Sequence, residues 1–200
     1  SYTLHVSGKN VPLTVKLLRN RQEQPALMTL SQALCGLMIA GTWVAIGSWT
    51  PGTKVFAGAL VFDGLAWAAS LVVLFVTAVT LVLSYGNVNT KGAQFSEYVF
   101  LLLNSTVGMI TFIAANDFIV AFIGMEIMSL AIYALIAISH EQTLSKEAAF
   151  KYFVLGSFAS AIFLYGVSMI YGTTGSISYD VLRETGAGIL QNRLFILGWV

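Results

Sequence analysis

The residue best placed to do chemistry is Glu126. It lies inside the apolar run "FIGMEIMSLAIY", from Phe122 to Tyr133, where a charged side chain costs about 2.5–3.5 kcal/mol if the run crosses a membrane. Ser129 and Tyr133 follow three and seven residues later, so a helix would place the three polar side chains on one stripe. This stripe is expected to face other helices or internal water. Glu126 is therefore a candidate proton-carrying group, and a glutamate that only packs against a neighbouring helix is the alternative.

Lys151 is the second candidate, in the run "EAAFKYFVLGSFASAIFLYG". The pattern places it about one turn into a helix, shortly after Glu147. A lysine near a helix end can also extend to the membrane surface at little cost, and that interpretation stays open. Along their helices Glu126 and Lys151 would differ in depth by about 12 Å. A direct ion pair is therefore not expected, and a water or a third polar group would have to bridge them.

The composition indicates an integral membrane protein. The chain has 200 residues, of which 57% are hydrophobic and 10% charged, whereas soluble domains carry about 25% charged residues. The net charge of +1 and the lack of a basic patch argue against nucleic acid as a partner. Cys35, His5 and His140 form no cluster in sequence, so neither a metal ion nor an iron–sulfur cluster is expected in this chain. There is also no phosphate-binding loop or nucleophile motif.

Five apolar segments are long enough to span a bilayer as helices, and they predict an all-α, polytopic transmembrane bundle over residues 27–200. Residues 1–26 are expected to form a polar, interfacial N-terminal segment. Asp63 and Asp117 are predicted N-caps, and "YGTTGS" is a predicted helix end. Because the chain begins with Ser1 and stops in a fresh apolar run, we expect a segment of a longer protein. The predicted helices cover about 27–47, 65–85, 98–115, 117–138 and 148–171, and another begins at 194.

The other polar residues and the small residues on these helices are expected to lie where helices pack against each other. The second helix carries Asp63, Ser70, Thr77 and Ser84 on one face, and the third carries Glu97, Asn104 and Thr111. Gly156 and Ser160 form a small-residue pair, suited to close helix approach. The loops predicted on one side of the membrane hold six Lys and Arg residues and those on the other side hold three, which places the N-terminal segment and residues 139–147 in the cytoplasm or matrix.

Two runs of this sequence resemble a known family. "FIGMEIMSLAIYALIA", followed by "SKEAAFKYFVLGSFASAIFLYGVSMIYGTTGS", is similar to the antiporter-like membrane subunits of respiratory complex I, an NADH:quinone oxidoreductase. The resemblance runs from about Phe62 to Val200 and is most specific in 122–176. It implies part of an antiporter-like inverted-repeat fold more than twice as long as this chain, of which this would be an N-terminal-half segment.

The resemblance also implies a function and a set of partners. Glu126 matches the intramembrane glutamate of the family and Lys151 its lysine at the start of the next helix, so both would serve proton translocation; a partner lysine of Glu126 would lie beyond Val200. Expected partners are the lipid bilayer and other membrane subunits of complex I, with FMN, iron–sulfur clusters and quinone in partner subunits and none in this chain. The expected location is the bacterial inner (plasma) membrane, with the mitochondrial inner membrane as the alternative.

Two other readings remain open. A multisubunit cation/proton antiporter uses related subunits with the same glutamate and lysine helices. A helical scaffold, in which Glu126 and Lys151 only hold helices together, is the third possibility.

Overall fold

Four long helices dominate the described part of the chain, and each is long and apolar enough to cross a membrane. The computed structural model describes residues 3–6, 9–12, 33, 36, 41, 52–84, 95–138, 143–185 and 193–199. The long helices are α1 (Gly64–Ser84), α2 (Phe95–Ala114), α3 (Phe118–Ala137) and α4 (Thr143–Thr174), followed by the short helices α5 (Tyr179–Thr185) and α6 (Arg193–Trp199). The predicted multi-pass helical bundle is confirmed.

The helix bounds differ from the predicted ones mainly in α4, which begins at Thr143 rather than near residue 148. Lys151 is consequently two turns into its helix, and the expectation of one turn was wrong. The helix predicted for residues 27–47 lies outside the described residues, except that Ala33, Gly36 and Gly41 are helical.

Two short antiparallel hairpins add to the helices, and the sequence did not predict them. β1 (Thr3–Val6) pairs with β2 (Lys9–Pro12), and β3 (Thr53–Val55) pairs with β4 (Leu60–Phe62). The turn between β3 and β4 has positive φ at Phe56 (52°), Ala57 (56°) and Gly58 (92°). Positive φ is rare for residues other than glycine, so the turn carries no ordinary sequence signal.

The predicted helix ends are confirmed. The Asp63 carboxylate accepts a hydrogen bond from the backbone N–H of Ala66 at 2.7 Å, and the Asp117 carboxylate accepts one from Val120 at 2.7 Å. Each satisfies an amide that the first helical turn leaves without an internal partner. Directly after the C-terminal end of α4, Gly175 adopts φ +70°, a conformation that stops a helix.

The polar stripe of α1 faces α2, as predicted. Ser70, Thr77 and Ser84 are buried with apolar neighbours at helical spacing. Thr77 and Thr106 share a hydrogen bond of 3.0 Å across the two helices, and Ser84 and Tyr98 share one of 2.8 Å. These neutral hydroxyl pairs hold α1 against α2.

The polar stripe predicted for α2 does not form its packing face. Glu97 is exposed, and Asn104 and Thr111 donate hydrogen bonds to carbonyls of their own helix. These groups satisfy their hydrogen bonds locally, so they need no neighbouring helix. The buried face of α2 instead consists of Val99, Ser105, Thr106, Gly108 and Ala114.

One end of the bundle is tied together by polar groups outside the long helices. Asn116, between α2 and α3, donates from its side chain to the Gly58 carbonyl at 2.9 Å and to the Asp180 carboxylate at 3.0 Å. Lys54 of the β3–β4 hairpin pairs with the same carboxylate at 2.7 Å. The hairpin, the α2–α3 connection and α5 therefore meet at the end where α1 and α3 begin.

Candidate functional site

The interface between α3 and α4 contains Glu126. The two helices run antiparallel along a continuous series of contacts: Ser145 donates to the Ile136 carbonyl at 2.8 Å, and the rings of Phe122 and Phe163 stack with centroids 6.1 Å apart. The contacting α4 residues are three, four or eight residues apart, which is one or two helical turns and keeps one face of α4 against α3. They are Ser145, Phe153, Gly156, Ser160 and Phe163.

Glu126 lies near the middle of this interface and is half-buried. It is the ninth of the 20 residues of α3, so it sits close to the centre of the span. The Ser160 hydroxyl of α4 donates a hydrogen bond to its Oε1 atom. The prediction that its stripe faces another helix is therefore confirmed for Glu126. The interpretation of Ser160 as a packing residue only was wrong, because a small side chain at that position also brings a hydroxyl to the carboxylate.

Tyr133 lies two turns further along α3 and faces the same helix. Its ring meets that of Phe153 edge-on, with centroids 6.1 Å apart and planes at 87°. Its hydroxyl occupies the space where Gly156 lacks a side chain, and a Cβ atom added there would overlap it. The close approach predicted at Gly156 is thus confirmed, and the approaching group is the phenol of Tyr133.

Lys151 lies on a different face of α4. It precedes Ser160 by nine residues, which is about 180° around the helix and about 13 Å along it. Its ammonium group pairs with Glu147 one turn earlier at 2.5 Å, and the two side chains are 68% and 57% exposed. Lys151 therefore points away from Glu126, which agrees with the depth difference that argued against a direct ion pair.

The sequence reasoning missed two polar partners. The size of Ser160 predicts only a packing role. Glu147 precedes the helix predicted from about residue 148, so the sequence analysis does not pair it with Lys151. The i, i+4 spacing of Glu147 and Lys151 was visible in the sequence and predicts this pair once α4 begins at Thr143. No sequence signal joins Ser160 to Glu126, because that contact depends on the register between two helices.

The arrangement can hold and exchange a proton. A carboxyl group at mid-span has a hydroxyl donor beside it, and a charged lysine–glutamate pair lies nearer one end of the next helix. Ionisable groups at such depth commonly mark ion or proton pathways. Within the described ranges, no group of three His, Cys, Asp or Glu side chains could hold a metal ion.

Comparison with known proteins identifies relatives for this bundle. Residues 115–199 match the transmembrane family described as NADH:quinone oxidoreductase/Mrp antiporter. The chain is 46% identical over 189 residues to NADH-quinone oxidoreductase subunit N of Bdellovibrio bacteriovorus, covering 94% of this chain and 39% of that protein. It is 37% identical to the subunit N of Granulibacter bethesdensis, covering 94% and 40%. The chain thus spans about two fifths of the length of the curated relatives it matches.

Solved structures show the same fold. A chain of respiratory complex I from Thermus thermophilus, with bound aureothin, superposes with a TM-score of 0.70 at 27% identity, covering 86% of this chain and 36% of that one. A chain of the archaeal membrane-bound sulfane sulfur reductase superposes with a TM-score of 0.72 at 25% identity, covering 86% and 37%. The resemblance read from residues 122–176 is confirmed by these matches.

Proposed function

Because this chain belongs to the family of antiporter-like membrane subunits shared by NADH:quinone oxidoreductases and Mrp antiporters, we propose that it forms part of a proton-translocating subunit of an NADH:quinone oxidoreductase. The observation that carries this proposal is Glu126, a carboxyl group held at mid-span by Ser160 of the neighbouring helix. Burying a carboxylate at that depth costs free energy, and ionisable residues in membrane spans are usually functional. Loading and releasing a proton is the use that this family context supports.

Glu126 and Lys151 act as successive proton stations in this proposal. Lys151 lies about 180° around α4 and about 13 Å along it from Ser160, the residue that contacts Glu126. In this proposal a proton therefore passes between Glu126 and Lys151 through water or other polar groups. The Lys151 ammonium group pairs with the Glu147 carboxylate one turn earlier on the same helix. Movement of charge at one station then changes the proton affinity of the next, which couples distant quinone chemistry to proton movement.

The partners follow from the same proposal. This chain would lie in the bacterial inner membrane, or alternatively in the mitochondrial inner membrane, and assemble with other membrane subunits of the complex. FMN, iron–sulfur clusters and quinone would bind in partner subunits. The enzymatic reaction belongs to the whole complex, and this chain would supply a proton path.

A cation/proton antiporter subunit is the second candidate function. The family model that matches residues 115–199 covers Mrp antiporters as well as NADH:quinone oxidoreductases. The subunits that co-purify with the full-length protein would separate the two functions, because only the oxidoreductase brings flavin and iron–sulfur proteins.

The test is Glu126→Gln in the full-length subunit within its complex. We expect NADH-driven proton uptake by inverted membrane vesicles to fall by about tenfold or more, because an amide cannot carry the proton. Uptake is normalised to the amount of assembled complex and to electron transfer to quinone. Glu97→Gln is the matched control, since Glu97 is an exposed glutamate in the first turn of α2.

Lys151→Met tests the second station in the same assay. A methionine keeps the length of the side chain and removes its charge, so a fall in proton uptake with intact assembly supports the role of Lys151. Uptake at the level of Glu97→Gln for both Glu126→Gln and Lys151→Met would contradict the proposed function and leave the scaffold interpretation.

A further inference from the structure

Several hydroxyl groups of the long helices follow a common pattern. Ser and Thr side chains in membrane helices usually donate back to a carbonyl of their own helix, about one turn earlier. In the pair of Thr77 and Thr106, one hydroxyl donates to the other, and the second can donate to a carbonyl of its own helix. Other hydroxyls that donate to the carbonyl four residues earlier, at 2.6–2.9 Å, are those of Thr80, Ser84, Thr111, Ser157 and Thr174.

Ser160 departs from this pattern. Its hydroxyl proton is directed across the interface to Glu126 rather than to its own helix. Ser157, less than one turn away on α4, shows the usual arrangement and donates to the Phe153 carbonyl at 2.8 Å. The two serines therefore share one helix and nearly one depth, and they differ in what their hydroxyl protons contact.

Ser160 can accept a hydrogen bond while it donates one to Glu126. A serine oxygen donates one hydrogen bond and has two lone pairs to accept others. Ser160 is only half-buried, so the described part of the chain does not cover this residue completely. A water molecule on its open side can donate to it while the serine donates to Glu126.

We propose that Ser160 is a hydroxyl relay through which protons reach and leave Glu126. In the inward step a protonated water gives a proton to the Ser160 oxygen, and the original hydroxyl proton passes to Glu126 Oε1. One O–H bond breaks at the water, one breaks and one forms at the serine, and one forms at the carboxyl group. The water becomes neutral, Glu126 becomes protonated and Ser160 is unchanged. The outward step is the reverse.

This inference rests on the proposed function, because a relay has a purpose only if Glu126 exchanges protons. The experiment compares Ser160→Ala and Ser160→Thr in the full-length subunit within its assembled complex. Proton uptake per quinone reduced is measured in inverted vesicles, with Ser157→Ala as the matched control and Glu126→Gln beside them.

A relay and a packing role predict opposite rankings of proton uptake for the two Ser160 variants. Alanine is smaller than serine and removes the hydroxyl, whereas threonine adds a methyl group and keeps the hydroxyl. A relay predicts that Ser160→Ala loses about tenfold in uptake, as expected for loss of a positioned proton-transfer group, while Ser160→Thr stays close to wild type. A packing role predicts that Ser160→Thr suffers more than Ser160→Ala, and that result would overturn the proposal.

Two further results keep the test decisive. If Ser160→Ala fails to assemble, Ser160→Cys replaces it, since the thiol is close in size and is a weak donor; uptake equal to that of Ser160→Thr would then count against the relay. If Glu126→Gln abolishes uptake while Ser160→Ala and Ser157→Ala both pump normally, the relay is wrong and the proposed function stands. If Glu126→Gln also pumps normally, the proposed function itself fails.

Discussion

Helix α3 packs against α2 and α4 in different ways. Towards α2 it presents Gly124, and a Cβ atom added there would lie 2.6 Å from the backbone nitrogen of Phe112. Towards α4 it presents Glu126 and Tyr133, whose polar ends reach across to Ser160 and Gly156. One face brings two backbones into contact, and the other leaves room for ionisable and hydroxyl side chains.

Within this one helix, the side facing α2 gives rigid packing, and the side facing α4 carries the groups proposed to move protons. Backbone contact through small residues gives strong, rigid packing between membrane helices without any polar group. Such a fixed face can hold the opposite face in register, so that a carboxylate and a hydroxyl stay within hydrogen-bond distance. The comparison therefore predicts that changes on the α2 side cost stability, whereas changes at Glu126 and Ser160 mainly cost proton movement.

The largest effect is expected at the α2–α3 crossing. A Cβ atom added at Gly108 would lie 2.5 Å from the backbone nitrogen of Met128 and 2.7 Å from the carbonyl oxygen of Gly124. Backbone atoms cannot move aside as a flexible side chain can, so Gly108→Ala should destabilise the bundle by about 2–3 kcal/mol. The measurement is the thermal unfolding of the purified complex together with the yield of assembled complex.

Gly172→Ala is the matched control, because nothing lies within 4 Å of the position its Cβ would take among the described residues. Equal stability of the two variants would show that α2 and α3 do not meet by backbone contact.

A smaller effect is expected on the α4 side at Gly156. A Cβ atom there would overlap the Tyr133 hydroxyl, which is the end of a side chain and can shift. We expect Gly156→Ala to cost about 1–2 kcal/mol, and Tyr133→Phe to recover part of that loss by removing the oxygen. Thermal unfolding of both single variants and the double variant gives the coupling between the positions. Strict additivity of the two changes would mean that Tyr133 does not occupy this space.

The neutral hydroxyl pair between α1 and α2 should matter less. Thr77 and Thr106 share a hydrogen bond of 3.0 Å, and the hydroxyl that accepts it can donate to a carbonyl of its own helix. Hydrogen bonds between membrane helices average about 0.6 kcal/mol in double-mutant cycles. The cycle of Thr77→Val and Thr106→Val should therefore give a coupling of about that size, with unchanged proton uptake. A fall in uptake would place this neutral pair in the proton path, as is proposed for the contact between Glu126 and Ser160.

The smallest effect is expected at the end of the bundle. Hydrogen bonds from Lys54 and Asn116 lower the pKa of Asp180 below its ordinary value of 3.8. A carboxyl group with a lowered pKa stabilises the folded state above its unfolded-state pKa, and that contribution is lost as the pH falls through the folded-state pKa. The difference in unfolding temperature between the wild type and Asp180→Asn should thus be constant from neutral pH to about pH 4 and shrink below it. A difference that grows on acidification would contradict the contact.

The sequence predicted most of the helical architecture because its signals are local. Long apolar runs give the spans, Asp63 and Asp117 give helix starts, and Gly175 stops α4. The β3–β4 hairpin escaped because its turn places Phe56 and Ala57 at positive φ, which no residue preference suggests.

The candidate site was predicted only on the α3 side. Helical spacing was enough to place Glu126 and Tyr133 on one stripe and to show that the stripe must face something polar or another helix. Their partners on α4 depend on how two helices are aligned along each other, which a single sequence does not encode locally. The sequence therefore predicts only a packing role for Ser160 from its size, whereas the structure brings its hydroxyl to Glu126.

In the proposed function, Glu126 changes its protonation during turnover of the complex. The most direct measurement is the infrared difference spectrum of the full complex between its resting state and its state during NADH oxidation by quinone. We predict a difference band from a protonated carboxyl group that is present in the wild type and in Glu97→Gln and missing in Glu126→Gln. A carboxyl difference spectrum that is identical in Glu126→Gln and the wild type would contradict the account.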